Sequence, residues 1–380
     1  MYIFQTFTKK KENKNMTQGN ASTKFKYWNL YSWIVDKIND GSFAYNLKLP
    51  SEAELCEQFG VSRQTVRNAL RQLGEDGYIF SVKGSGSFVR KHVRRREKRI
   101  GVIFSTVSGY ICADILNGLE NEFTSHGYSV QLEISHGRVE SERSFLHKAL
   151  DSHLSGVIIE ATKSSFPSPN SDLFRQLDDA GIPCVFLNSY YSNVPCNAVI
   201  WDDENVSYKL TSQLIEAGHK NIACIFRCDE MQGGLRYLGY ARAMLDHGLC
   251  INDSYVCWYS CSDGYFQIPK HQLDMIDSFL NSLKGNYTAL ICYNDLIAGS
   301  MINKLRAQNV QIPNDIAIAS FDNSDLVQFF GLDSMYNFEH PKARLGEVAA
   351  RLLLDLIHED NTSRRQIITV TCPEENQEAE

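Results

Sequence analysis

From Tyr27 to Leu73 apolar residues recur at three- and four-residue intervals, the period of buried helical faces. Tyr27, Leu30, Tyr31, Ile34, Val35 and Ile38 form one stripe, which predicts a helix from Lys24 that stops near Gly41. "KLPSEAELCEQFG" predicts a second helix: Pro50 has the φ of a helix start, and Ser51 and Glu54 have capping-box spacing. Leu55 and Phe59 face inward there, and Gly60 ends it. "GVSRQTVRNALRQL" predicts a third helix, with Ser62 as N-cap, Val66, Ala69, Leu70 and Leu73 inward, and Gly74 or Gly77 as the stop. The period then falls to two in "YIFSVKGSGSFV", a hairpin around a Gly-Ser-Gly turn.

The polar face of the third helix carries Arg63, Gln64, Arg67, Asn68 and Arg71. Such a face is most often simply solvated. Three helices with a short turn between the last two and a trailing hairpin, however, describe a winged helix-turn-helix, whose last helix enters the DNA major groove. Arg63 and Arg67 can each bond two acceptors on a guanine edge, Gln64 can do so on adenine, and Ser62 or Thr65 can reach a phosphate or a base. The turn "KGSG" brings backbone close to a second surface, where Lys83 would meet a phosphate or the minor groove. Asn68 and Arg71 are left as backbone contacts or solvated groups.

Beyond Arg99 the pattern changes. The short apolar runs "IGVIF", "YSVQLEI", "GVIIEA", "PCVFLNS", "AVIWDD", "NIACIF", "YVCWYSC", "ALICYND" and "DIAIASFDN" alternate with amphipathic stretches. That alternation predicts an α/β body of two parallel sheets covered on both faces, the first half ending at "AVIWDD". A ligand crevice belongs at the carboxyl ends of such strands. Glu160, Asn188, Asn294 and Asp322 close strands there, and Arg143 and Arg236 lie at or near helix starts. Amide, carboxylate and guanidinium groups grip adjacent hydroxyls, while Tyr110, Trp201 or Phe321 could cover a C–H face; the set suits a small polyol.

Charge sharpens the division. Residues 1–99 hold 19 Lys+Arg against 9 Asp+Glu, a balance of +10, and the remainder holds 19 against 36, a balance of −17. A basic front on an acidic body points to a polyanionic partner for the front alone. "RKHVRRREKR", residues 90–99, reads as a basic linker that could add phosphate affinity. Residues 1–23 read as a polar, disordered lead-in. The 11 cysteines include no C-x-x-C, no H-E-x-x-H occurs, and reduced thiols with no metal site are expected. G-x-G-x-x-G after the first strand, a P-loop and a nucleophile elbow are absent, so neither a cofactor nor enzymatic activity is expected. With no apolar run of transmembrane length and no secretory leader, the expectation is a cytoplasmic chain that makes no use of a membrane.

Residues 24–90 resemble the GntR family of bacterial repressors through "LPSEAEL", "GVSRQTVRNAL" and "SVKGSGSFV". That resemblance places Glu52, Ser62, Arg63, Thr65, Arg67, Gly84, Ser85 and Gly86 against operator DNA. Ala53 departs from it, since many relatives have a basic or polar residue there. The body, residues 100–376 after a linker at 91–99, resembles the LacI/GalR effector domains, which are related to periplasmic sugar-binding proteins. "GVIIE", "GIPCVFLN", "RYLGYARAM", "ALICYNDLIA", "IPNDIAIASFDNSD" and "HPKARLGEVAARLL" carry it. It implies that Asn188, Arg236, Asn294 and Asp322 line a sugar cleft, with Arg143 at another family position. The head–body combination is similar to arabinose-responsive repressors through "ERSFL", "EATKSSFPSPN", "DEMQGGLRYLGY" and "EHPKARLG". This adds Glu160, Lys163, Gln232 and His340 and implies L-arabinose as effector. The implied protein is a homodimeric, sugar-released repressor on double-stranded operator DNA. Another pentose, a sugar derivative or a purine is the alternative effector, and a solute-binding protein or an enzyme is less favoured.

Overall fold

The computed structural model describes residues 18–82, 84–90, 97–106, 111–152, 154–260, 270–329, 331, 335–358 and 365–371. Lys83, Tyr110, residues 1–17 of the expected lead-in and residues 91–96 of the linker lie outside the described residues. The chain divides into two compact units between Arg95 and Arg96.

The first unit contains α1 (Gln18–Asn39), α2 (Glu52–Phe59), α3 (Arg63–Glu75), β1 (Ile79–Val82) and β2 (Gly86–Val89). Leu30, Ile34, Leu49, Leu55, Val66, Ala69, Leu73, Ile79 and Val89 meet in one core. The ends of α2 follow local chemistry. Ser51 and Glu54 close a reciprocal capping box, and Gly60 terminates the helix at φ 59°. β1 and β2 pair antiparallel from Ile79–Val89 to Val82–Gly86, and Lys48 forms an isolated bridge to Phe88. α1 begins at Gln18, six residues before the expected start at Lys24.

The second unit has two lobes. β3 (Glu97–Phe104), α4 (Cys112–Ser125), β4 (Ser129–Ile134), α5 (Val139–Asp151), β5 (Leu154–Ile159), α6 (Ser171–Asp179), β6 (Cys184–Leu187) and β7 (Asn197–Trp201) build the first. The second contains α7 (Asp203–Glu216), β8 (Ile222–Arg227), α8 (Met231–Asp246), β9 (Val256–Tyr259), α9 (Lys270–Ser282), β10 (Ala289–Cys292), α10 (Asp295–Ala307), β11 (Ala317–Asp322), α11 (Leu326–Phe329) and β12 (Tyr336–Glu339). α12 (Lys342–His358) and β13 (Ile367–Val370) follow. The sheets run β13-β7-β6-β5-β3-β4 and β12-β11-β10-β8-β9, with every described pairing parallel. Apolar clusters cover both faces of each sheet, as the alternation predicted.

Two differences from the sequence reading matter for the site. The strand-helix alternation predicts two consecutive halves divided at "AVIWDD", the last strand ending at Asn323. Instead the chain returns: α12 packs on α4, and β13 joins the first sheet beside β7. The α4–α12 contact depends on two glycines, because a Cβ at Gly118 would meet the Ala343 carbonyl oxygen at 2.3 Å and one at Gly346 the Ile115 carbonyl oxygen at 2.3 Å. Backbones this close leave no room for a side chain. The lobes are therefore joined at the β7–α7 and β12–α12 segments, and Trp201 and His340 sit there. Second, β3 starts at Glu97, so the last residues of the expected linker are strand.

Candidate functional site

In the first unit, α3 presents Arg63, Gln64, Arg67 and Asn68 on its exposed side. Arg67 Nε donates to both carboxylate oxygens of Glu52 at 3.1 and 3.0 Å, tying the exposed edge of α3 to the start of α2. Both partners are solvated, so the pair contributes at most about 1 kcal/mol and serves mainly to aim the guanidinium. Gln64 Nε2 donates to Asn68 Oδ1 at 3.1 Å. Ser62 Oγ accepts from the Thr65 amide at 3.2 Å and shares a bond with the Thr65 hydroxyl at 2.9 Å. Thr65 is buried and acts at the start of the helix, whereas Ser62 remains exposed. At the wing, Gly84, Ser85 and Gly86 are exposed, with φ of 81° at Gly84 and 115° at Gly86. The sequence reading missed Lys48, whose Cε lies 3.0 Å from where a Gly86 Cβ would stand. Only the tertiary bridge to Phe88 brings this cation to the wing, so no sequence signal marks it.

In the second unit the centre is Arg236, 4% exposed on the second turn of α8. Its Nε donates to Asp203 Oδ1 at 2.7 Å and its Nη1 to the Tyr293 carbonyl, while Asp322 Oδ1 stands 3.7 Å from Nη2. The guanidinium lies 4.2 Å from the Phe321 ring centre, 4.7 Å from that of Tyr293 and 5.6 Å from that of Trp201. A cation packed among three rings and two carboxylates is held in one orientation. Burial raises the Asp203 carboxyl and Arg236 opposes that rise. Asp203 is the principal residue that the sequence reading did not single out. Asp202 does cap α7 through the Asn205 amide, but Asp203 turns inward.

His340 and Trp201 lie against each other, with ring centres 4.7 Å apart. Trp201 Nε1, His340 Nδ1 and Gln232 Oε1 are buried polar atoms with no hydrogen-bond partner in the protein. Gln232 shares a face of α8 with Arg236, four residues on. Buried polar atoms are normally satisfied, so three around one arginine need an explanation. His340 is driven down to about 3 by burial, with Arg236 and Lys342 adding to the effect. Between pH 3 and 6.5 the unfolded chain therefore takes up a proton that the folded one refuses, and stability falls as pH drops through 6.5. Melting temperature should fall more steeply from pH 7 to 4 in the wild-type chain than in His340→Gln, a difference of up to about 1.4 kcal/mol per pH unit. Equal slopes would remove His340 as the cause.

At the end of β5, Glu160 accepts from the Ser105 amide at 2.7 Å and its hydroxyl at 2.5 Å. Burial raises this carboxyl, and Glu230 of the second lobe raises it further. Asn188 is buried at φ 63° and also bonds to Glu160. Three further candidates are placed differently. Arg143 forms a bidentate pair with Asp172 at 3.1 Å on a solvated surface. Asn294 caps α10 by accepting from the Ile297 amide at 3.0 Å. Lys163 is half-buried at φ 56° in the loop after β5. Asp295, also missed, holds the ends of the second sheet together by accepting from Ser320 Oγ, Ser324 N and Oγ, and Asn337 Nδ2 at 2.7–2.8 Å. Among the described residues no cluster of three or more His, Cys, Asp or Glu could hold a metal ion, and no helix is long and apolar enough to cross a membrane.

Residues 26–89 match the model of the gntR family of bacterial regulatory proteins, and residues 211–374 match the periplasmic binding protein-like domain. The chain is 32% identical over 343 residues to the arabinose metabolism transcriptional repressor of Geobacillus stearothermophilus, covering 89% of this chain and 93% of that one. The repressor of the same name from Halalkalibacterium halodurans is 28% identical, over 87% of this chain and 89% of that one. Among solved structures, the transcriptional regulator CelR–cellobiose complex superposes with a TM-score of 0.63 at 22% identity, covering 82% of this chain and 89% of that one. The transcription regulator CcpA of Lactococcus lactis gives 0.62 at 23% identity, covering 72% and 96%. The structural matches show the shared fold. With a GntR head, a parallel-sheet effector body and this identity over nearly the whole chain, the protein belongs to the family of bacterial transcriptional repressors that join a GntR-type winged helix to a periplasmic-binding-protein-like domain.

Proposed function

We propose that this chain is a cytoplasmic, homodimeric repressor of carbohydrate-utilisation genes that leaves its operator when a small sugar, L-arabinose, enters the body. The observation that carries the reading is the set of buried, unsatisfied polar atoms on Trp201, Gln232 and His340 around Arg236. A polyol satisfies a donor, an acceptor and an imidazole nitrogen together, and the aromatic walls beside them suit its C–H face. Glu160 and Asn188 would complete the first lobe's share, and Arg236, Asn294 and Asp322 the second's. The relatives named arabinose metabolism repressors support the choice of sugar. In the head, Arg63, Gln64 and Arg67 would read bases, while Ser62, Lys83, Lys48 and the Gly84–Gly86 turn would meet backbone. A two-fold operator requires two heads, which a dimer of bodies supplies.

Coupling between sugar and operator of about 1–3 kcal/mol is typical of such regulators. Operator affinity, followed by fluorescence anisotropy, should therefore fall by roughly 5- to 150-fold on saturation with L-arabinose. D-Ribose, D-xylose and hypoxanthine run in parallel identify another effector if one of them acts instead. No response to any sugar overturns the reading.

A further inference from the structure

The first N–H groups of a helix have no partner within it, and a side-chain oxygen at the N-cap usually takes one of them. Among the described residues, Ser51, Ser62, Asp202 and Asn294 each cap the helix that they precede, whereas the N-cap residues of α4, α5, α6 and α8 make no such bond. At α8 a residue from elsewhere takes the place. The N-cap residue of α8, Glu230, makes no capping bond, because its carboxylate accepts from the Tyr293 hydroxyl at 2.5 Å and pairs with Arg227 Nη1 at 2.7 Å. The Met231 amide, first in the helix, donates instead to Ser164 Oγ at 2.8 Å. Ser164 belongs to the loop between β5 and α6, on the other lobe. A second bond joins the same two loops, from the Ser165 amide to the Asp229 carbonyl at 3.4 Å.

We infer that Ser164 is the N-cap of α8 supplied from the opposite lobe, so that the helix bearing Gln232 and Arg236 completes its first turn only while the lobes are together. The loop is built to hold this serine in place. Glu142, fully buried on α5, accepts from the Thr162 amide at 3.1 Å and Asn170 Nδ2 at 3.0 Å, clamping the loop at both ends. The Tyr191 hydroxyl donates to the same carboxylate at 2.6 Å, and Asn193 Oδ1 accepts from the Ser168 amide at 2.8 Å. α8 cannot shift to find another cap: a Cβ at Gly233 would meet the Arg227 carbonyl oxygen at 1.7 Å, so the first turn is pressed on the end of β8. Ser164 is thus a positioning residue. It acts on effector binding through α8, and that last step rests on the proposed function of the cleft.

The test uses the full chain. Hydrogen exchange, without sugar, is compared over the amides of residues 229–236 for wild type, Ser164→Ala and Ser164→Thr. Loss of a cap accelerates exchange there by about fivefold in Ser164→Ala, while the hydroxyl of Ser164→Thr preserves wild-type exchange. L-Arabinose affinity, by calorimetry, drops by about the same factor in Ser164→Ala, with sugar-free operator affinity unchanged. Wild-type exchange in Ser164→Ala overturns the inference, as does equal acceleration in both variants, which would mark a packing role. Faster exchange with unchanged L-arabinose affinity overturns the link to the effector. If the wild-type chain does not bind L-arabinose, the choice of sugar fails while the exchange comparison still decides the cap.

Discussion

Arg236→Ala is expected to abolish the sugar response and to destabilise the body by about 3–5 kcal/mol, because removing one partner of a buried pair strands the other. Asp203 is 2% exposed, and its carboxylate would lose the guanidinium that offsets its burial. A stranded acid of raised pKa costs least when protonated, so the gap in melting temperature from wild type narrows as pH falls from 7 to 4. The second variant separates folding from function. Arg236→Ala/Asp203→Asn removes the buried charge along with its partner and should recover most of the lost melting temperature. It should not recover the response, because the group proposed to hold the sugar is still missing. Operator binding, proposed for the other unit, should persist in the double variant. A sugar response of normal size in either variant would remove Arg236 from the effector site.

Arg67→Ala is expected to weaken operator binding by about 1–3 kcal/mol, a factor of roughly 5 to 150, if the guanidinium contacts a base. Its bond to Glu52 makes a companion prediction possible. Glu52→Gln keeps the shape of the partner but loses the charge that aims Arg67, and should give a smaller loss confined to the same base position. A lysine in place of Arg67 should not rescue, because an ammonium lacks the planar fork. Anisotropy on operators substituted one base pair at a time reads all three. A uniform loss across every substituted operator would instead mark Arg67 as a phosphate contact.

The head was largely legible because its boundaries depend on neighbours in sequence. Ser51 with Glu54, Gly60 and Ser62 each act within four residues, and the structure places all of them where spacing puts them. The body's strands and helices were legible for a similar reason, since a buried parallel strand announces itself as an apolar run. The site was legible in part. Trp201, Arg236, Asp322 and His340, spread over 140 residues, come together, and Gln232 lies four residues before Arg236 on α8. Arg143 had the same strand-to-helix setting but is engaged by Asp172, a competitor on the next helix that spacing does not reveal.

Asp202 and Asp203 show the limit most clearly. They are chemically identical neighbours, and the pattern cannot tell the cap from the inward partner of an arginine 33 residues away. The path of the chain from the first lobe to the second settles it. Local periodicity and capping determined the elements and the winged head, because those depend on contacts within a few residues, and residue counts alone fixed the charge division. Only the tertiary structure decided the return of α12 and β13 to the first lobe, the pairing of Asp203 with Arg236 and the capping of α8 by Ser164. Each of these joins segments far apart in the chain, and such contacts depend on how close two backbones come, which no spacing of residues records.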